Sequence, residues 1–175
     1  MHEQARNALD DAELVRRARA GSVDALAELY ARHADAVYDA ALRLLAAPAD
    51  AEDVLQDVFV GLVDALEKYE ERGAFGAWIR RVAVRRALMG LRRERRRVDA
   101  PTAVLKTPVP DPTRRITARE AVAALPDSLR VVFVLKEVEG YSHAEIGAQL
   151  GITPRASALR LHRAWKVLRN RVGMP

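Results

Sequence analysis

The chain has 175 residues, enough for one ordinary domain or two small helical ones, and it is 50% apolar but only 5% aromatic, with a net charge of +5. It contains no cysteine, which excludes disulfide bonds and thiolate metal sites. No apolar run approaches the roughly 18 residues of a membrane-spanning helix, and the N-terminus lacks the hydrophobic core of a signal peptide. We therefore expect a cytoplasmic protein without direct membrane insertion.

The net charge hides an asymmetry along the chain. Residues 1–75 carry 16 acidic and 8 basic side chains, a net charge of −8, whereas residues 76–175 carry 8 acidic and 21 basic ones, a net charge of +13. A basic half suits a polyanion such as nucleic acid, which would repel an acidic half. The asymmetry indicates two partners of opposite charge, although a solvated surface of mixed charge would give the same composition.

Apolar residues recur at helical spacing before residue 98, where Ala, Leu and Arg, all good helix formers, are common. The spacing predicts four helices, at residues 11–20, 23–46, 51–69 and 77–97. Ser22 can cap the second helix, and Pro48 restarts the chain before the third. The two glycines of "EERGAFG" predict a loop before the fourth helix.

A proline-rich segment follows the fourth predicted helix. Residues 98–114 hold four of the eight prolines, which predicts an extended linker because proline removes backbone donors and restricts its predecessor. Four shorter helices are predicted beyond it, at about residues 115–124, 126–139, 143–150 and 154–171. The predicted fold is all-α, with two small helical domains, residues 1–97 and 115–175, joined by this linker.

Residues 143–164 have the pattern of a helix-turn-helix. Ser142 and Glu145 form a capping box, Gly151 permits a left-handed turn, and Pro154 stands at the first position of a basic helix. In such a motif the first turns of the second helix enter the major groove, although an ordinary helical hairpin has a similar pattern. The residues expected to contact DNA are Arg155, Ala156, Ala158, Leu159, Arg160, His162, Arg163 and Lys166. Because the two alanines are too short for bidentate base contacts, we expect recognition through backbone contacts and DNA shape.

The fourth predicted helix is rich in arginine. Residues 80–97 hold nine arginines and one glutamate, and two aromatic residues come just before them. Arginine beside exposed aromatic rings is typical of surfaces that bind single-stranded nucleic acid, because unpaired bases stack on the rings. Trp78 is equally consistent with a place in the core. The residues expected to contact nucleic acid here are Phe75, Trp78, Arg81, Arg85, Arg86, Arg92 and Arg93.

The segment 48–71 is acidic, with eight carboxylates and one lysine. Glu52, Asp53 and Asp57 would suit a metal or acid–base site, and a small metal-dependent enzyme is therefore one alternative. However, Glu52 and Asp53 lie at a helix start, where the macrodipole favours carboxylates, and the segment has no histidine. We instead expect a helix face that docks on a basic partner, and a protein that is not an enzyme and has no cofactor or small-molecule substrate.

Three stretches, in this order, resemble the extracytoplasmic-function (ECF) group of bacterial sigma-70-type sigma factors. "DAEDVLQDVF" is similar to region 2.2, "AFGAWIRRVA" to regions 2.3–2.4, and "LPDSLRVVFVLKEVEGYSHAEIGAQLGI" with the following "RLHRA" to region 4. The resemblance covers residues 11–97 and 115–172. It implies a non-catalytic subunit that directs core RNA polymerase to promoters. The alternative is a stand-alone helix-turn-helix regulator, for which the acidic segment and the linker have no evident use.

The resemblance also implies roles for the three sets of residues. The coiled coil of the polymerase β′ subunit would bind Glu52, Asp53, Gln56, Asp57 and Phe59. The aromatic and arginine residues from Phe75 to Arg93 would melt and read the −10 element, and the helix 154–169 would enter the major groove at the −35 element. The linker would run toward the RNA exit path. The implied partners are the β′ and β subunits, promoter DNA and an anti-sigma factor.

The chain departs from the family pattern at both DNA-binding stretches. Arg85 stands where the family commonly has asparagine, and Met89 where it has aspartate. The second helix of the helix-turn-helix has alanine, serine, leucine and tryptophan where threonine, valine, lysine, serine and arginine are usual, at Ala156, Ser157, Ala158, Leu159 and Trp165. These departures change the side chains available for base recognition, whereas both stretches keep their positive charge.

Overall fold

The structure is a computed structural model that describes residues 9–70, 74–97 and 117–172. The predicted linker at 98–114 lies outside the described residues. Within the described ranges the chain is helical and has no strand, as the all-α prediction required. The helices are α1 (Asp11–Arg19), α2 (Val23–Leu45), α3 (Pro48–Val60), α4 (Leu62–Glu67), α5 (Phe75–Arg97), α6 (Ala118–Ala123), α7 (Asp127–Phe133), a π-helical segment (Val134–Val138), α8 (His143–Leu150) and α9 (Pro154–Val172).

The chain divides into two compact units. The first contains the described residues up to Leu42 and from Ala47 to Arg95, and the second contains Arg43–Ala46 and the described residues from Arg96 onward. In the first unit Asp10 caps α1 by accepting a hydrogen bond from the backbone N–H of Glu13 at 2.7 Å. The core of this unit is formed by Leu14, Val15, Leu29, Val37, Val58, Leu62, Leu66, Ile79, Ala83 and Val84.

The predicted third helix is divided in the structure. α3 ends at Val60 and α4 begins at Leu62, with Gly61 between them donating a hydrogen bond to the carbonyl of Asp57 at 3.1 Å. Glycine is a poor helix former, and a Cβ at Gly61 would lie only 3.3 Å from Nη2 of Arg86 on α5. The expectation of one continuous helix is therefore wrong at this position, where the end of the Arg86 side chain lies against the glycine.

The second unit is built around the long helix α9, which packs against α6, α7 and α8. Ser142 and Glu145 form the predicted capping box at the start of α8, and Gly151 has the predicted left-handed conformation, with φ +67°. The predicted helix at 126–139 contains α7 and the π-helical segment. The core consists of Ala121, Leu125, Val131, Leu135, Ile146, Ala164 and Leu168.

Candidate functional site

The acidic residues of α3 form an exposed surface, here called the α3 surface. Its members are Glu52, Asp53, Gln56 and Asp57, which are exposed, and Phe59, which is half-buried. The Phe59 ring packs edge-on against Tyr30 of α2, with 4.7 Å between ring centroids. Tyr30 is 47% exposed and Val60 is 85% exposed, so apolar groups border the carboxylates. Such a mixture of negative charge and exposed apolar side chains suits a protein partner with basic side chains.

One face of α5 is basic and is here called the α5 face. Trp78, Arg81, Arg85 and Arg92 follow the three- and four-residue spacing of a single helix face; the arginines are exposed and Trp78 is half-buried. Met89 lies on the same face and is also exposed. The remaining predicted contact residues of this helix, Arg86 and Arg93, are exposed at its flank.

An aromatic cluster supports the start of α5. Phe75 is only 3% exposed, and its ring centroid lies 5.0 Å from that of His33 and 5.7 Å from that of Tyr69. Trp78 lies 4.8 Å from Tyr69 and 5.5 Å from Phe75, measured between ring centroids. Trp78 is thus packed against two aromatic rings and is only half-buried, and its expected contact with nucleic acid stays a prediction. The Phe75 ring is buried and packs against that of Trp78, and the DNA contact expected of Phe75 stays a prediction.

α9 presents a second basic surface, here called the α9 face. Arg155, Leu159, His162 and Lys166 follow one another at helical spacing and are exposed, Leu159 to 50%. Ala158 and Arg163 are also exposed, whereas Ala156 and Arg160 are half-buried. Arg160 therefore lies at the flank of the face, and the centre of the face contains Leu159 among basic residues.

Two features that sequence reasoning missed hold α8 against α9. Ser157 is fully buried, and its hydroxyl lies 2.9 Å from Nδ1 of His143. A Cβ at Gly147 would lie 2.6 Å from the carbonyl oxygen of Ile152, so the turn approaches α8 too closely for any side chain there. A glycine inside a helical pattern was the only signal of this close approach in the sequence.

Within the described ranges, no group of three or more histidine, aspartate or glutamate side chains is placed to hold a metal ion. In the same part of the chain, no helix is long and apolar enough to cross a membrane. The acidic cluster of Glu52, Asp53 and Asp57 is thus an open helix face in this structure, with exposed carboxylates.

Two family models match the chain. The model for "Sigma-70 region 2" matches residues 29–97, and that for "Sigma-70, region 4" matches residues 115–168. The fold is similar to that of the sigma factor RpoE from Bartonella quintana, solved in complex with the anti-sigma factor NepR, with a TM-score of 0.58 and 18% identity. That similarity covers 87% of this chain and 99% of the RpoE chain.

Curated relatives are similar over most of the sequence. The RNA polymerase sigma factor CarQ of Myxococcus xanthus is 36% identical over 165 residues, which are 90% of this chain and 94% of CarQ. The ECF RNA polymerase sigma factor SigE of Mycolicibacterium smegmatis is 35% identical over 154 residues, which are 82% of this chain and 60% of SigE. The chain therefore belongs to the ECF group of the sigma-70 family of RNA polymerase sigma factors.

Proposed function

We propose that the chain starts transcription by recruiting core RNA polymerase to promoters through three surfaces, and that it has no enzymatic activity of its own. Residues 1–97 are the domain that binds core polymerase and the −10 element, residues 98–114 are the linker, and residues 115–175 bind the −35 element. The observation that carries this proposal is the opposite charge of two helix faces in one unit: the α3 surface is acidic and the α5 face is basic.

The α3 surface is the proposed binding site for the coiled coil of the β′ subunit. Its carboxylates would pair with basic side chains on polymerase, while Phe59 and the exposed apolar groups around it would be buried in the contact. Charge complementarity of this kind sets orientation and association rate, and burial of the apolar groups adds affinity. A stand-alone DNA-binding regulator would gain nothing from such a surface, since DNA repels it.

The α5 face is the proposed site for the separated strands of the −10 element. The exposed side of Trp78 offers a stacking surface for an unpaired base, and each base–aromatic stack is worth about 1–3 kcal/mol. Arg81, Arg85 and Arg92 on the same face are suited to the phosphates of that strand. Met89 offers no charge at a position where the family commonly has aspartate, so base recognition there would rest on apolar contact.

The α9 face is the proposed site for the major groove of the −35 element. Arg155, His162 and Lys166 are suited to phosphates and base edges, and Leu159 to the methyl group of a thymine. The flanking position of Arg160 favours a phosphate contact for it. With few long polar side chains at the centre of the face, recognition would depend on backbone contacts and DNA shape.

The protein is proposed to act in the cytoplasm, where core polymerase and promoter DNA are available. An anti-sigma factor is the third expected class of partner, together with the β′ and β subunits and DNA. The RpoE chain with the same fold is solved in complex with an anti-sigma factor, which supports this class of partner. The proposed partner would compete with polymerase or promoter DNA for one of the three surfaces.

In vitro transcription of fragmented genomic DNA from the source organism tests the proposal. Core polymerase is supplied with or without the chain, and the 5′ ends of the transcripts are sequenced. We expect new start sites that depend on the chain and share two upstream elements. A chain that footprints duplex DNA without polymerase, and adds no start sites with it, would instead be a stand-alone regulator.

A further inference from the structure

Arg19, the last residue of α1, reaches across to the end of α4. Its Nε donates a hydrogen bond to the carbonyl oxygen of Leu66 at 3.0 Å, and its Nη2 donates another to the carbonyl oxygen of Tyr69. The guanidinium carbon lies 5.9 Å from the centroid of the Tyr69 ring. α1 precedes residue 29, where the match to the region 2 family begins, so the family match does not include this contact.

The contact is suited to fixing the orientation of Tyr69. Leu66 lies in the last turn of α4 and Tyr69 in the segment that follows the helix, and a planar guanidinium can hold both carbonyl oxygens at once in a set geometry. The same guanidinium is within cation–π distance of the ring. Tyr69 is only 7% exposed, so both its backbone and its ring are held where α4 ends.

Tyr69 in turn contacts the tryptophan of the α5 face. Its ring centroid is 4.8 Å from that of Trp78 at an interplanar angle of 51°, and the Phe75 ring packs edge-on against Tyr69 with 5.7 Å between centroids. A change in the position of Tyr69 therefore changes the support beneath Trp78. A chain of contacts thus connects α1 with the ring that is proposed to stack on an unpaired base.

We propose that Arg19 is a positioning residue for promoter opening: it orients Tyr69, and through Tyr69 it orients Trp78 toward the unpaired strand of the −10 element. This inference rests on the proposed function. Arg19 itself does not contact DNA in this arrangement, because its guanidinium is engaged by the end of α4. The neighbouring Arg17 is different, since it pairs with Glu13 on its own helix at 2.7 Å.

The test uses the full chain with core polymerase and a forked DNA whose −10 element is unpaired, built from the strongest promoter found by the genomic transcription experiment. Arg19→Met keeps the aliphatic stem and removes both donors, and Arg17→Met on the same helix is the matched control. We expect Arg19→Met to weaken binding of the fork about fivefold, because a misplaced Trp78 ring would lose part of the free energy of one base stack. Arg17→Met should leave fork binding unchanged. Arg19→Lys keeps the cation and a donor nitrogen but loses the planar two-nitrogen geometry, and should restore part of the loss.

A purely structural role is separated from a positioning role by combining substitutions. If Arg19 acts through the tryptophan, Arg19→Met causes no further loss of fork binding once Trp78→Ala is present. In a Trp165→Phe background, where Trp78 is the remaining tryptophan, Arg19→Met should also shift its emission and raise its quenching by acrylamide. Equal fork binding by Arg19→Met and Arg17→Met, or a full additional loss in the Trp78→Ala background, would overturn the inference.

Two further results keep the inference distinct from the proposed function. If the unchanged chain with core polymerase starts no transcription, the proposed function fails. If the unchanged chain is active but the substitutions give either of the two contradicting results named above, the inference alone fails. If Arg19→Met does not fold, Tyr69→Leu takes its place, because it removes the ring between Arg19 and Trp78. Tyr69→Leu is expected to lose fork binding to the same extent without affecting core affinity, and unchanged fork binding would overturn the inference.

Discussion

Oδ2 of Asp57 lies 3.3 Å from Nη1 of Arg86. Asp57 belongs to the α3 surface and Arg86 flanks the α5 face, so one ion pair joins residues assigned to different partners. Both side chains are largely solvent-accessible, at 65% for Asp57 and 44% for Arg86, and such pairs are worth about 0.2–1 kcal/mol. A polymerase cation that engages Asp57 would compete with Arg86 and leave the guanidinium available to a DNA phosphate.

The first prediction concerns this ion pair. Asp57→Asn should raise the affinity of the free chain for single-stranded DNA about two- to fivefold, because Arg86 is released from its partner. Asp53→Asn removes the same charge from the same helix and measures the general electrostatic effect. The extra gain of Asp57→Asn over this control should vanish in an Arg86→Ala background, as measured by fluorescence anisotropy. A gain that persists there contradicts the coupling.

The second prediction concerns the α3 surface. Asp53→Arg should weaken binding to core polymerase about tenfold or more, since it places a cation where the basic partner is expected. Asp24→Arg, an exposed site on α2, makes the same charge change in the same unit and should have little effect. Competition binding with labelled chain gives both affinities. Equal affinities for the two variants would remove the α3 surface from the polymerase contact.

The third prediction concerns Trp78. Trp78→Ala should reduce open complexes about tenfold, by the loss of one base stack, while binding to core polymerase is preserved. Trp78→Phe keeps an aromatic ring and should retain much of the activity, and Val63→Ala, which shortens an exposed apolar side chain of α4 in the same unit, is the control. Permanganate reactivity of unpaired thymines measures opening. If Trp78→Ala forms as many open complexes as the unchanged chain, Trp78 has a role in packing alone.

The fourth prediction concerns the turn of the helix-turn-helix. Gly147→Ala should destabilise the second unit by about 1–3 kcal/mol, because its Cβ would meet the carbonyl oxygen of Ile152 at 2.6 Å. Gly90→Ala places its Cβ in open space on α5 and should be neutral or stabilising by up to about 1 kcal/mol. Urea titrations followed by Trp165 fluorescence in a Trp78→Phe background report on the second unit. Titrations followed by Trp78 fluorescence in a Trp165→Phe background report on the first unit. A stable Gly147→Ala would show that the turn has room to move.

The fifth prediction concerns pH. Hydrogen bonds from the Ser142 side chain and backbone to the Glu145 carboxylate lower its pKa from the ordinary value of 4.5. Because the pKa is lower in the folded state, this cap contributes stability that is present above the unfolded value and lost as the pH falls through the folded value. The difference in free energy of unfolding between the unchanged chain and Glu145→Gln should therefore become smaller as the pH is lowered from 4.5 through the folded-state pKa. A constant difference between the two proteins across the range would contradict the prediction.

Short-range interactions explain why much of the second unit was predictable from the sequence. A capping box joins residues three apart, a left-handed glycine ends a helix, and a proline begins one, so Ser142, Gly151 and Pro154 marked their boundaries directly. The charged stretches of the proposed polymerase- and DNA-binding surfaces can also be read from the sequence, because they are contiguous and have helical spacing. The contact roles of their individual residues remain predictions.

The sequence by itself determined the helical fold class, the order of the helices, the opposite charges of the two halves and the resemblance to ECF sigma factors. Only the tertiary structure decided that α3 and α4 separate at Gly61, that Phe75 is buried while Trp78 is half-buried, and that Asp57 and Arg19 pair with residues 29 or more positions away. Capping and helical periodicity involve residues only a few positions apart, so they can be recognised in the sequence. The contact of the Arg86 side chain with Asp57 and the contact of α1 with α4 depend on how whole helices pack, and no residue spacing in the sequence indicates them.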